Sequence, residues 1–287
     1  MNKRIIVQQL QSFHLAGVQE WNRWAAEKIL GAEEEGEGGV VPAVESPVAE
    51  KKKKSPSVYQ IPQPVQEIPM KKSAQPLPIV VPEEDLHALT LLEDREEALR
   101  QLGEKVGRCT RCLELVSNRT QTVLGVGNPY ARLMFLGEAP GADEDRQGIP
   151  FVGRAGRLLT DMIEKGMKIS RIQETYICNI LRCRPPGNRA PLPTEAANCR
   201  HFLDTQIDIV KPEFICCLGA SAAQFLLRST TTISRMRGRE YDYRGIRVVC
   251  TYHPAYLLRN PAQKVATWED LQFLMRIMAE TSAHSRN

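Results

Sequence analysis

Cys109 and Cys112 form a C-x2-C pair, and Cys183 and Cys199 supply two more thiols separated by 15 residues. Such a pair can grip one metal centre from a single turn. Two further thiolates would complete a four-thiolate shell suited to zinc or to an iron–sulfur cluster. The polar neighbours Arg108, Thr110 and Arg111 mark the pair as a loop-like site. The other four cysteines, Cys178, Cys216, Cys217 and Cys250, sit inside apolar runs, where small thiols are ordinary core residues. A second constellation comprises Glu138, Asn179 and His253: a carboxylate, a carboxamide that accepts and donates at once, and an imidazole that titrates near neutrality. Gly137, Pro140 and Gly141 around Glu138 permit close backbone approach to a ligand. The carboxylates of Glu138, Asp143, Glu144 and Asp145 would repel phosphate, which argues against a nucleotide-phosphate cradle.

These residues need elements to hold them. Short apolar runs over 132–137, 175–180, 213–218 and 247–252 predict four strands. Helical patterns between and after them cover 153–165, 194–209, 220–227 and 263–278, and an acidic start followed by Leu86, Leu89, Leu92 and Leu99 predicts a helix over 83–106. Nearly continuous apolar strands alternating with helices imply an α/β fold, a three-layer α/β/α sandwich around a central, mainly parallel four-stranded sheet. Ligands of such sheets bind beyond the carboxyl ends of the strands. Those ends carry Gly137-Glu138, Asn179, Gly219 and His253, so the second constellation converges on one edge.

Composition divides the chain of 287 residues. Over 1–30, Leu15, Val18, Trp21, Ala25 and Ile29 recur at helical spacing, as in an amphipathic helix that docks a protein partner or packs on its own domain. Over 31–82 the chain is Glu/Gly-rich, then Lys-rich, then Pro-rich; nine of its 19 prolines fall here, and it reads as a disordered linker. Residues 83–287 form the expected catalytic domain. Up to Glu104 there are 12 basic against 17 acidic residues, and beyond it 26 against 17, so a basic domain follows an acidic leader. That charge is compatible with a polyanionic partner. No apolar run is long enough for a transmembrane helix and no export signal is evident, so a cytoplasmic protein with reduced thiols and no membrane partner is expected.

The segments GEAPGADED, PFVGRAG, Tyr176-Ile177-Cys178-Asn179, Cys183-Arg184-Pro185-Pro186-Gly187-Asn188-Arg189 and HPAYLLRNP, in that order, resemble the iron–sulfur uracil-DNA glycosylases, the family 4 group. The resemblance runs from about residue 105 to 278. It implies a uracil-DNA glycosylase-like fold, a monomer, a 4Fe-4S cluster held by Cys109, Cys112, Cys183 and Cys199, and removal of uracil from single- or double-stranded DNA. It implies that Phe151 stacks on the flipped base, Asn179 reads its polar edge and His253 hydrogen-bonds O2. Glu138 would lie by the sugar and attacking water, and Glu144 near C5. Ala139 stands where the better-known uracil glycosylases place a water-orienting Asp, which shifts that task toward Glu138 or main-chain groups. Absence of histidine from Arg228 to Tyr252 separates the chain from a covalent uracil-trapping relative and favours turnover. Leu257 or Leu258 is expected to fill the gap left in the DNA, and Arg259 to touch phosphate. The competing expectations are a non-catalytic, metal-containing binder of uracil or damaged DNA and a zinc-ribbon scaffold.

Overall fold

The computed structural model describes residues 82–284; the expected N-terminal helix and all but the last residue of the expected linker lie outside them. The described chain opens with two helices, α1 (Glu83–Thr90) and α2 (Arg95–Gly107), where the apolar spacing predicts one. The break is made by Asp94, whose carboxylate accepts from the main-chain N–H groups of Glu96 (3.0 Å) and Glu97 (3.1 Å) and so caps α2. Leu86, Leu89 and Leu99 are buried, while Leu92 in the break is exposed. Helix α3 (Leu113–Asn118) follows immediately after Cys112.

The sheet has six strands rather than four: β1 (Val126–Gly127), β2 (Leu133–Gly137), β3 (Thr175–Asn179), β4 (Phe214–Leu218), β5 (Glu240–Tyr243) and β6 (Ile246–Thr251), in the order β1-β3-β2-β4-β6-β5. The inner four are those predicted, and they run parallel, with Gly137 beside Asn179 and Cys217 beside Cys250. Every residue of β2, β3 and β4 is buried, as a sheet covered on both faces requires. The outer strands β1 and β5 pair antiparallel. They leave no apolar run to read, because β1 has two residues and β5, Glu240-Tyr241-Asp242-Tyr243, alternates between exposed and half-buried positions.

Between the strands lie α4 (Ala142–Gln147), α5 (Arg154–Thr160), which continues as a π-helical stretch over Asp161–Met167, α6 (Pro193–Val210), α7 (Ala220–Leu227) and α8 (Ile233–Met236). After β6 come α9 (Pro254–Arg259) and α10 (Lys264–His284). Met134, Leu136, Tyr176, Cys178, Ile215, Cys217, Val248 and Cys250 share one sheet face with apolar residues of α1, α2, α6 and α7. Strand alternation turns Phe135, Ile177, Cys216 and Val249 to the other face, and α10 packs on β6 and on the π-helical stretch. The four strand cysteines are fully buried, as expected: Cys178, Cys217 and Cys250 in this core and Cys216 on the opposite face.

Candidate active site

The carboxyl ends of the inner strands open into a cavity of about 430 Å³. Glu138, Ala139, Glu144, Phe151, Asn179, His253 and Arg259 all line it, joined by Asn188, Arg189 and Tyr256. Leu257 does not. On the single turn and a half of α9 it faces inward and is fully buried, whereas Leu258 is 37% exposed. The expectation that Leu257 faces DNA is therefore corrected: the outward leucine of this pair is Leu258.

His253 follows β6 and caps α9, its Nδ1 accepting from the Ala255 N–H at 3.1 Å. A ring nitrogen that accepts carries no proton, so in the neutral imidazole the proton sits on Nε2. Burial, and then the charge of Arg259, lower its pKa from 6.5 to about 4, so the ring is a neutral donor at neutral pH. Gly219, at the end of β4, makes room: with φ at 91° it adopts a conformation that disfavours side chains, and a Cβ there would lie 2.9 Å from the His253 Cβ.

Asn179 ends β3 and is 2% exposed, yet its buried Oδ1 has no hydrogen-bond partner. Leaving such an acceptor unpaired costs about 1–3 kcal/mol, which a ligand donating to it would recover. Gly137 on the neighbouring strand keeps the space open, since a side chain there would run into both the Asn179 carboxamide and the Phe151 ring. The Phe151 ring centroid lies 5.7 Å from that of His253. Its backbone is left-handed (φ 56°), a conformation costing a non-glycine residue about 1–3 kcal/mol. The buried Arg171 secures it, with Nη2 donating to the carbonyls of Pro150 and Phe151 at 3.0 Å each and Nη1 donating to Thr160 Oγ1 at 2.5 Å.

The acidic turn uses its own carboxylates. Glu144 Oε1 accepts from the N–H groups of Val152 and Gly153 at 3.0 Å each, at the start of α5. Asp145 accepts from the Thr120 N–H, and Asp143 pairs with Arg146. Glu138 Oε2 accepts from Ser221 Oγ at 2.5 Å, the hydroxyl being supplied by the first turn of α7.

The four thiols outside the sheet gather from two distant segments. Cys183 and Cys199 share a buried cluster with Leu115 and Leu181, against which Cys112 and Ala139 pack. Burial raises the Cys183 thiol pKa, Arg119 lowers it, and the charges of Cys109 and Cys112 raise it further, so all four lie within electrostatic reach. Arg119 Nη1 donates to Cys183 Sγ at 3.0 Å and Asn198 Nδ2 to Cys112 Sγ at 3.4 Å. Four such neighbours can ionise together only around a cationic centre, and hydrogen-bond donors already aimed at two sulfurs suit a thiolate-ligated group. As free thiols they do not close on a single ion: among the described residues no three His, Cys, Asp or Glu are arranged to hold one.

A model of the uracil DNA glycosylase superfamily matches residues 124–272, the span holding the entire sheet and cavity. This chain belongs to that superfamily. A type-4 uracil-DNA glycosylase of Thermotoga maritima is 46% identical over 174 residues, covering 60% of this chain and 88% of the relative. The type-4 uracil-DNA glycosylase of Archaeoglobus fulgidus is 42% identical over 174 residues (58% and 85%), and a type-5 uracil-DNA glycosylase of Pyrobaculum aerophilum 30% over 182 residues (53% and 80%). The C-x2-C pair precedes the span that matches the superfamily.

In this uracil-DNA glycosylase superfamily member, sequence reasoning misses Ser221, Arg171 and Tyr256. Ser221 carries a weak signal, a hydroxyl two residues past the glycine that follows β4. Arg171 carries none, because its acceptors, the Pro150 and Phe151 carbonyls and Thr160 Oγ1, lie 11 to 21 residues away.

Proposed function

We propose that this chain is a monofunctional DNA glycosylase that flips uracil out of DNA and hydrolyses its N-glycosidic bond, leaving an abasic site. The observation that carries this reading is the pairing, in one cavity, of an unpartnered buried carboxamide oxygen with a neutral imidazole of fixed tautomer. Uracil, flipped because its reacting atom is unreachable in the stack, would lie on the Phe151 ring. Asn179 Oδ1 accepts from uracil N3–H while Nδ2 donates to O4. Cytosine presents the opposite pattern, an acceptor at N3 and a donor amine at C4.

As the C1′–N1 bond breaks, its electron pair passes to the base and the sugar becomes cationic. The Nε2–H of the neutral His253 ring donates to O2, where negative charge grows. Glu138, oriented by Ser221, faces the cationic sugar and holds the water that adds to C1′, the water's proton leaving through this carboxylate. Ala139 offers no carboxylate and packs against the cysteines, which leaves the task to Glu138. Glu144, fixed by two main-chain amides, stands by C5, where a thymine methyl would meet a side chain that cannot swing aside without losing both bonds. Arg259 meets backbone phosphate, and Leu258, the exposed member of the leucine pair, takes the wedge role.

Cys109, Cys112, Cys183 and Cys199 would hold the 4Fe-4S cluster, which ties the two chain segments together. The partner is uracil-containing DNA, single- or double-stranded, and the protein acts as a cytoplasmic monomer. The four strand cysteines are unbridged thiols, which supports a reducing compartment, and among the described residues no helix is long and apolar enough to cross a membrane. Alkali-labile nicks at uracil in a synthetic oligonucleotide test the activity. Retained binding without nicks would instead favour a non-catalytic binder of damaged DNA.

A further inference from the structure

Arg182 is 1% exposed and stands between the base-reading residue and the cysteines. Its Nη1 donates to the main-chain carbonyl of Asn179, and its Nη2 donates to Gln206 Oε1 at 2.6 Å. Gln206 is fixed in turn, its Nε2 donating to Tyr176 Oη at 2.7 Å and to the Leu124 carbonyl at 3.1 Å. Both acceptors of the guanidinium are neutral, and its Nε, also buried, has no partner. Among the described residues no carboxylate pairs with it, so a full positive charge lies in the core without a counter-charge on an acid. Burying such a charge is costly unless an opposite one lies near. The cysteine nest adjoins Arg182: Cys183 follows it in the chain, and its main-chain N–H faces Cys199.

We propose that Arg182 is a positioning residue that links the four-cysteine segment to the Asn179 carboxamide: its main chain runs directly into Cys183, and its guanidinium fork fixes the end of β3. This rests on the uracil-binding reading of Asn179. The guanidinium fork spans two acceptors at once, whereas an ammonium at the same position can serve one, so Arg182→Lys keeps the charge and loses the geometry.

The test is binding without turnover. Affinity is measured for single-stranded oligonucleotides carrying either 2′-fluoro-2′-deoxyuridine, which resists hydrolysis, or a tetrahydrofuran abasic analogue. The ratio of the two affinities reports base recognition alone, since loss of folded protein lowers both equally. In the parent the uracil oligonucleotide should bind more tightly; no preference there would refute the uracil reading itself. In Arg182→Lys the ratio should fall roughly 10- to 100-fold, the effect of one or two misplaced hydrogen bonds, with visible absorbance retained. An unchanged ratio would overturn the proposal. Gln206→Leu, which frees one end of the guanidinium, should reduce the same ratio less and keeps the test available should Arg182→Lys not fold. Linkage to the sulfurs is read from Cys199→Ser, alone and combined with Arg182→Lys: losses in the ratio that fail to add support it, and losses that add as independent effects would refute it.

Discussion

Acid titration isolates the role of His253, because its pKa is lowered from 6.5 to about 4 by burial and then by Arg259. Folded His253 binds its proton less readily than the unfolded chain does. The stability it contributes is complete above about pH 6.5 and is lost as pH falls toward 4, at most about 3 kcal/mol in all. Activity should follow the folded value. On a single-stranded oligothymidylate carrying one uracil, which has no purines to lose in acid, kcat/KM should stay level from pH 8 to about 5 and be halved near pH 4. Protonation would put a hydrogen on Nδ1 as well, facing the Ala255 N–H that now donates to it, and would tilt the cap that orients the ring. His253→Gln, which keeps a donor but not the titration, should lose roughly 100-fold or more in rate, and the residual activity should lack the His253 contribution to the acid limb. Rates that climb between pH 8 and 6 in the parent, with a midpoint near 6.5, would mean that the imidazolium is the active form and would refute the neutral-donor reasoning.

Asn179→Asp reverses part of the donor and acceptor pattern in a buried position, and two mismatched bonds at about 1–3 kcal/mol each should slow uracil excision by orders of magnitude; a parental single-turnover rate would remove Asn179 from base recognition. Cys183→Ala should abolish absorbance near 400 nm and bound iron while Cys216→Ala keeps both, as iron analysis of the purified variants can decide. Leu258→Ala should slow excision from duplex more than from single strands, whereas Leu257→Ala removes a buried side chain at about 2–5 kcal/mol, lowers the melting temperature and harms both substrates alike; equal losses for Leu258→Ala would end the wedge assignment. Ser221→Ala frees the Glu138 carboxylate and should lower kcat more than it raises KM, and an unchanged kcat would show that Glu138 needs no such support.

The inner sheet and its reactive edge were legible because each parallel strand is buried on both faces and announces itself as an apolar run, and because ligands of such sheets gather at one edge. What escaped notice is made of contacts without local pattern. Nothing around Arg171 or Arg182 in the sequence says that their guanidinium groups turn inward to main-chain carbonyls. Leu257 and Leu258 are equivalent in composition, and only the rotation of a six-residue helix separates the buried one from the exposed one. Asp94 reads as one more acid in an acidic helix until its carboxylate is seen to end one helix and start the next.

Hanging Asn179 from β3, Glu138 from β2 and His253 from β6 makes the width of the site a count of strands. The Asn179 carboxamide and the His253 imidazole hang from strands three spacings apart, roughly 14 Å between backbones, and their side chains reach into the cavity from its two ends. Hydrogen-bonded strands cannot drift apart by an ångström to suit another ligand. On the proposed uracil reading, a larger base would need a shortened side chain or an added strand, so size selection would reside in the backbone ladder and survive changes that erase hydrogen-bond selectivity.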